Sequence, residues 1–359
     1  MDLPAWTTHA DEALIRAARA VRLLAACTPT NAQSERARMT EAATRGEHVM
    51  PKWTYRETPK SDVRARLEKL IDGLATLEGD PLARIYEARA MELASEAELV
   101  EAVGSEKFGS LAMARFAGDS RSLEKKAKEL ARRWATEKMA DDAPTLACDG
   151  DHPDSLLSLM KKEIGKRALP FRVQVHAPLS SLAATGDGII YVTAGRPISR
   201  AAALRTVLHE VEGHALPRVA ASKLELAIFR IGTARGTDDQ EGLALCIEER
   251  AGFLVGERKR DLAARALAVS AMRNGADFSE IVTLLKKDHE RSAEKSVSIA
   301  ERIFRGSYGR TPGLGRESIY LEAFTRVKDH VAKFPDAEKI LASGQVATDA
   351  VATLARYAT

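Results

Sequence analysis

A chain of 359 residues, 45% hydrophobic and 29% charged, carries enough apolar side chains for one large or two ordinary domains and has no stretch biased enough for disorder. A formal net charge of +3 is close to balanced, which gives no electrostatic case for nucleic acid or a membrane surface as partner. Three widely separated cysteines, Cys27, Cys148 and Cys246, argue against a disulfide framework and for a reducing compartment, so a cytoplasmic location is expected.

The N-terminal MDLPAWTTHADEALIRAARAVRLLAAC has no basic residues ahead of its apolar ones, and Arg16, Arg19 and Arg22 interrupt it, so it reads as helix rather than export signal. No run approaches the roughly 18 apolar residues of a membrane span. Apolar residues at three- and four-residue spacing predict helices over 61–78, 81–102, 120–139 and 154–166, with starts marked by Ser61, Asp80-Pro81 and Asp154. The first 165 residues thus read as a helical layer. The segment 140–153, ADDAPTLACDGDHP, is the best linker and divides the chain into 1–150 and 151–359. Its Cys148, Asp149, Asp151 and His152, with Asp154 beyond, lack the spacing of zinc or calcium motifs, and a solvated acidic linker accounts for them equally well.

FRVQVHA (171–177) alternates apolar and polar residues, and GIIYVTAG (188–195) is rich in β-branched residues between glycines; these are two short strands. Helical periodicity resumes near 198 and runs almost to the C-terminus, with breaks expected at Pro217, at Gly232 to Gly236, at Asn274-Gly275 and over 306–315. That last stretch, GSYGRTPGLG, is either a flexible loop or a segment shaped around a ligand. The fold class that follows is mainly α (α+β): an N-terminal helical layer, then a core with a small sheet and a long helical continuation.

Within the apolar-periodic AAALRTVLHEVEGHALP lies HEVEGH, residues 209–214. Two histidines four residues apart on an α-helix differ by about 40° of rotation and can share one metal, whereas the five-residue spacing here leaves about 140°. A π-bulge would return His209 and His214 to one face, and such bulges occur mostly at functional sites. Gly213 would tolerate the distortion. A third ligand should come from a following helix, where TDDQEGLALCIEERAG (237–252) offers Glu241, Glu248 and Glu249. Glu241, 27 residues beyond His214, opens an otherwise apolar helix and could alternatively compensate the helix dipole. Cys246 reads as a core residue.

HExxxH followed by QEGLA (240–244) resembles the QEGLA-motif family of zinc metallopeptidases, which includes the microtubule-associated tyrosine carboxypeptidases and bacterial flavohaemoglobin expression-modulating proteins. The resemblance extends to Arg305-Gly306 ahead of Tyr320-Leu321 and so covers roughly 170–325. It implies a gluzincin-like catalytic core within 151–359, zinc ligands at His209, His214 and Glu241, and a catalytic base at Glu210. The chain departs from the family pattern in having Arg316-Glu317 in place of Lys-Asp and Ala221-Ser222 in place of Asn-Gly, which leaves room for a different substrate pocket. HEVEGH is also similar to the HELLGH of dipeptidyl peptidase III, whose third ligand corresponds to the EERAG segment and hence to Glu248.

A zinc site with three protein ligands and an acid beside the first histidine points to peptide hydrolysis, the acid accepting a proton from water and passing it to the leaving amine. Tyr320 and the arginines near 305 are candidate oxyanion donors, and a carboxypeptidase needs a cation for the terminal carboxylate, for which Arg305 is preferred and Arg302, Arg310 and Arg316 are neighbours. The expected function is a zinc-dependent carboxypeptidase acting on the C-terminus of a peptide or protein. The alternatives are a dipeptidyl-peptidase-like enzyme, a non-haem iron oxygenase using the same two-histidine, one-glutamate set, or a helical interaction protein with a structural metal.

Overall fold

The computed structural model describes residues 3–58, 61–116, 121–138, 146–177, 179 and 181–358. The fold is mainly α with two small sheets, and no described helix is long and apolar enough to cross a membrane. Two compact units interleave along the chain: one takes Met1–Ala135, Leu226–Ala234 and Arg260–Glu322, the other Thr136–Glu225, Arg235–Lys259 and Ala323–Thr359.

The first unit is helical. Its main helices are Trp6–Ala20, Ala32–Thr44, Val63–Ala75, Pro81–Ala102, Phe108–Arg115, Arg121–Ala135, Phe278–Lys287 and Ala293–Phe304. Pro81–Ala102 begins where the sequence says it should: the Asp80 carboxylate accepts from the N–H groups of Leu82 and Ala83, and Pro81 fills a first-turn position that needs no donor. Buried Met39, Trp53, Val297, Phe278 and Phe304 form one core, with Trp53 edge-on to Phe278 at 5.6 Å between ring centroids. The glycine-rich stretch over 306–315 is closely packed at several of its glycines, while Tyr308 and Arg310 stay exposed. A Cβ on Gly306 would fall inside the Phe108 ring and one on Gly313 against the Phe304 backbone, so these glycines are small because the neighbours leave no space.

The second unit carries the larger sheet. Helix α1 (Leu156–Lys166) is capped by Ser155, which accepts from Ser158 N at 3.2 Å; the cap is one residue later than Asp154. Strands β1 (Arg172–His176), β2 (Ala183–Thr185) and β3 (Ile189–Thr193) form a sheet of order β1-β3-β2. β1 runs parallel to β3 with Arg172 opposite Ile189, and β2 runs antiparallel with Thr185 opposite Ile190. β2 was not foreseen, because three residues are too few to show a period. Leu146–Ala147 pairs antiparallel with Pro197–Ile198, which ties the end of the expected linker into the fold; residues 140–145 lie outside the described ones.

Ile190 and Val192 of β3 pack on Met160 and Ile164 of α1, and on Val207 and Val211 of the helix that follows. That helix starts as α2 (Arg200–Leu208), capped by Ser199, passes through a π-helical segment at His209–Ala215, and ends as α3 (Leu216–Ala221). The break expected at Pro217 does not occur. The proline sits in the first turn of α3, where the chain returns from π to α register, and the helix runs on through it. Arg235, in left-handed backbone at φ 58°, then opens helix α4 (Gly236–Arg250).

Candidate metal centre

The π-helical segment answers the spacing problem posed by HEVEGH. Leu216 N–H bonds to the Val211 carbonyl, an i→i+5 contact, and one extra residue is thereby absorbed between the histidines. His209 and His214 consequently face each other, Nε2 to Nε2 at 3.2 Å with ring centroids 5.0 Å apart. Gly213 lies inside the distorted segment, and packing supplies a further reason for glycine there. Its backbone is not left-handed; instead a Cβ there would lie 2.5 Å from Cβ of Ala244, so glycine is what lets α4 cross this close.

α4 brings the carboxylates. Glu241 Oε2 lies 3.4 Å from His209 Nε2 and 3.8 Å from His214 Nε2. Among the described residues, His209, His214 and Glu241 are the one group of three or more potential ligands that could hold a metal ion. Cys148 is buried, and neither it nor the acids and His152 that follow it join such a group. Cys246 is a buried free thiol, as expected of a core residue.

The far side of each imidazole is also engaged by α4. Glu248, fully buried, lies with Oε1 2.7 Å from His209 Nδ1, and its two oxygens accept from Arg258 Nη2 at 2.7 Å and Nε at 2.9 Å. His214 Nδ1 lies 3.0 Å from the Gln240 Oε1 acceptor. Both rings therefore donate from Nδ1, which in the neutral form leaves the Nε2 lone pair on the side of Glu241. Burial opposes a proton on His209, but the Glu241 and Glu248 carboxylates outweigh it and lift the imidazole to about 10. Burial would likewise raise Glu248, yet Arg258 and His209 hold it well below the usual carboxylate range. The centre of the cluster thus favours positive charge.

Glu210 is 7% exposed, and its Oε2 accepts from Thr185 Oγ1 at 2.7 Å. Residues flanking Glu241 fix α4 in place. A Cβ on Gly242 would come 2.5 Å from the Ala323 carbonyl oxygen, and the buried Asp239 accepts from Arg326 Nε and from Thr348 N, each at 2.8 Å. The QEGLA run therefore reads physically: Gln240 orients a histidine, Glu241 faces the pair, Gly242 and Ala244 permit close helix packing, and Leu243 is buried.

Tyr320, Arg305 and Arg316 belong to the first unit. There Arg302 donates from Nε to Glu317 Oε1 at 2.9 Å and from Nη2 to the Tyr320 hydroxyl at 3.4 Å, while Arg265 approaches the other Glu317 oxygen at 3.5 Å. Arg305 is half-buried beside them, and desolvation with the Arg302 charge lowers its guanidinium from its ordinary value. Arg316 is half-buried at the start of a single turn, Arg316–Ser318, and Arg310 is exposed. Thr185, Gln240 and Arg258 were not picked out from the sequence. A glutamine directly before the candidate ligand Glu241 was a usable signal for Gln240; Thr185 and Arg258 gave none.

A mainly helical protein whose π-distorted HExxxH segment meets a helix-borne glutamate, in a cluster that could hold a metal, is the class of molecule that fold and site define. The family model of the microtubule-associated tyrosine carboxypeptidases matches residues 42–359, and the chain belongs to that family. Membership implies carboxypeptidase-like activity, and it reaches well beyond the 170–325 carried by the motifs. No curated protein matches the chain.

Proposed function

We propose that the chain is a zinc-dependent carboxypeptidase that removes a C-terminal residue from a peptide or protein, with His209, His214 and Glu241 as the ligands. The observation that carries the reading is the triangle of donor atoms, with sides of 3.2, 3.4 and 3.8 Å. Zinc with bonds of about 2.0–2.1 Å in tetrahedral coordination spaces its ligand atoms by about 3.4 Å, so the donors fit that ion. Two imidazoles and one carboxylate are also one of its established catalytic donor sets. Glu248 stands on the Nδ1 side of His209 and is already committed to Arg258, which favours Glu241 as third ligand.

Zinc, when bound, supplies a Lewis acid that polarises a carbonyl and acidifies water. Glu210 is the proton carrier. Thr185 occupies one of its oxygens and fixes the carboxylate plane, leaving the other oxygen to take a proton from the attacking water and return it to the leaving amine. For Arg305, Arg316 and Tyr320 the family pattern alone remains the ground for expecting a role toward substrate.

Glu210→Gln tests the assignment, because the amide keeps the shape but cannot carry the proton. Zinc content and peptide affinity should stay near wild type while turnover of a peptide with a free C-terminus falls by about 10²- to 10⁴-fold. Unchanged turnover would remove the hydrolase reading, and an iron rather than zinc content in wild type would move the site to a different chemistry.

A further inference from the structure

We infer that Glu248 and Arg258 are a positioning pair that sets the affinity and electronic character of the metal centre through His209; this rests on the zinc reading above. Glu241 and Glu248 are seven residues apart on α4, two helical turns, so one face of one helix meets both nitrogens of the same imidazole. An ionised carboxylate only accepts, so the 2.7 Å contact from Glu248 places a proton on Nδ1, and in the neutral ring that binds a metal the lone pair is then on Nε2. The carboxylate is in turn gripped by both forks of Arg258, which compensates its complete burial.

The two histidines are held differently. His214 leans on Gln240, a neutral amide whose other end donates to the Gly344 carbonyl at 3.5 Å, whereas His209 leans on a charged pair. A carboxylate behind an imidazole makes its other nitrogen a stronger electron donor, so His209 is the stronger of the two nitrogen ligands. Arg258 bonds both oxygens of Glu248, through Nε and Nη2, and so acts on His209 through that carboxylate by holding it in plane.

The test is zinc affinity of the full chain, measured by competition with a chromophoric chelator, together with the visible absorption of the cobalt(II)-substituted protein. Glu248→Gln keeps the shape and removes the charge, and should weaken zinc about 10- to 100-fold and shift the cobalt bands. Because that variant leaves Arg258 buried beside a neutral amide, the double variant Glu248→Gln with Arg258→Met serves as the control for folding. It should lose no more affinity than the single one if arginine acts only through glutamate. Arg258→Lys should fall between wild type and Glu248→Gln. Wild-type zinc affinity and cobalt bands in a folded but less stable Glu248→Gln would make the pair a structural brace and overturn the inference, as would an additive loss in the double variant. Failure of the carboxypeptidase reading shows separately, as wild-type protein that binds zinc but turns over no peptide; failure of wild type to bind zinc overturns this inference too.

Discussion

At the scale of single residues, the centre is organised by hydrogen bonds that decide which atom faces which. Glu210 is adjacent in sequence to His209, but its orientation comes from Thr185, on the edge strand β2. Replacing Thr185 with valine keeps the volume and removes the donor. One hydrogen bond to a charged acceptor is worth about 1.5 kcal/mol, which converts to about tenfold in rate. Steady-state kinetics should therefore show kcat lowered about tenfold with KM and zinc content unchanged, and Thr185→Ser should recover most of it. A valine variant with full kcat would mean that Glu210 is positioned by something else.

At the scale of elements, the close crossing of the π-helical segment and α4 makes the cluster possible. The contact is tight enough that Gly213→Ala would set two methyl groups 2.5 Å apart. Overpacking of this kind costs about 1–3 kcal/mol, and thermal unfolding should report a lowered Tm together with weaker zinc binding as α4 is pushed away. Ala244→Gly in the same chain vacates the space and should restore both. If the double variant is no better than Gly213→Ala, the glycine is needed for the π conformation itself. Gly242→Ala has no comparable rescue, since its contacts are the Ala323 carbonyl and the Phe324 amide of the backbone.

At the scale of the whole molecule, a metal bound by residues of two helices stabilises the folded chain by mass action. At a thousandfold excess of free zinc over Kd the gain is about 4 kcal/mol. Calorimetry on zinc-loaded and chelator-stripped protein should show a clear fall in Tm on stripping, and His209→Ala should start at the stripped value and stay there on zinc addition. Equal Tm values for loaded and stripped wild type would argue against a site of useful affinity.

The sequence by itself determined the helical character, through three- and four-residue apolar spacing, and singled out His209, His214 and Glu241, the cluster that could hold a metal, through HEVEGH and QEGLA. It also required the π distortion at His209–Ala215, because five residues on a regular helix cannot bring two imidazoles to one ion. These are local properties: a period, a rotation per residue, a motif. Only the tertiary structure decided which partner each ligand leans on. Arg258 reaches Glu248 across ten residues, Thr185 reaches Glu210 across 25, and the strand β2 exists only because β3 offers it a ladder. The continuation of the helix through Pro217 and the close packing of the 306–315 glycines belong to the same class. Each depends on what the fold presses against the residue, and a linear pattern carries no record of neighbours brought together through space.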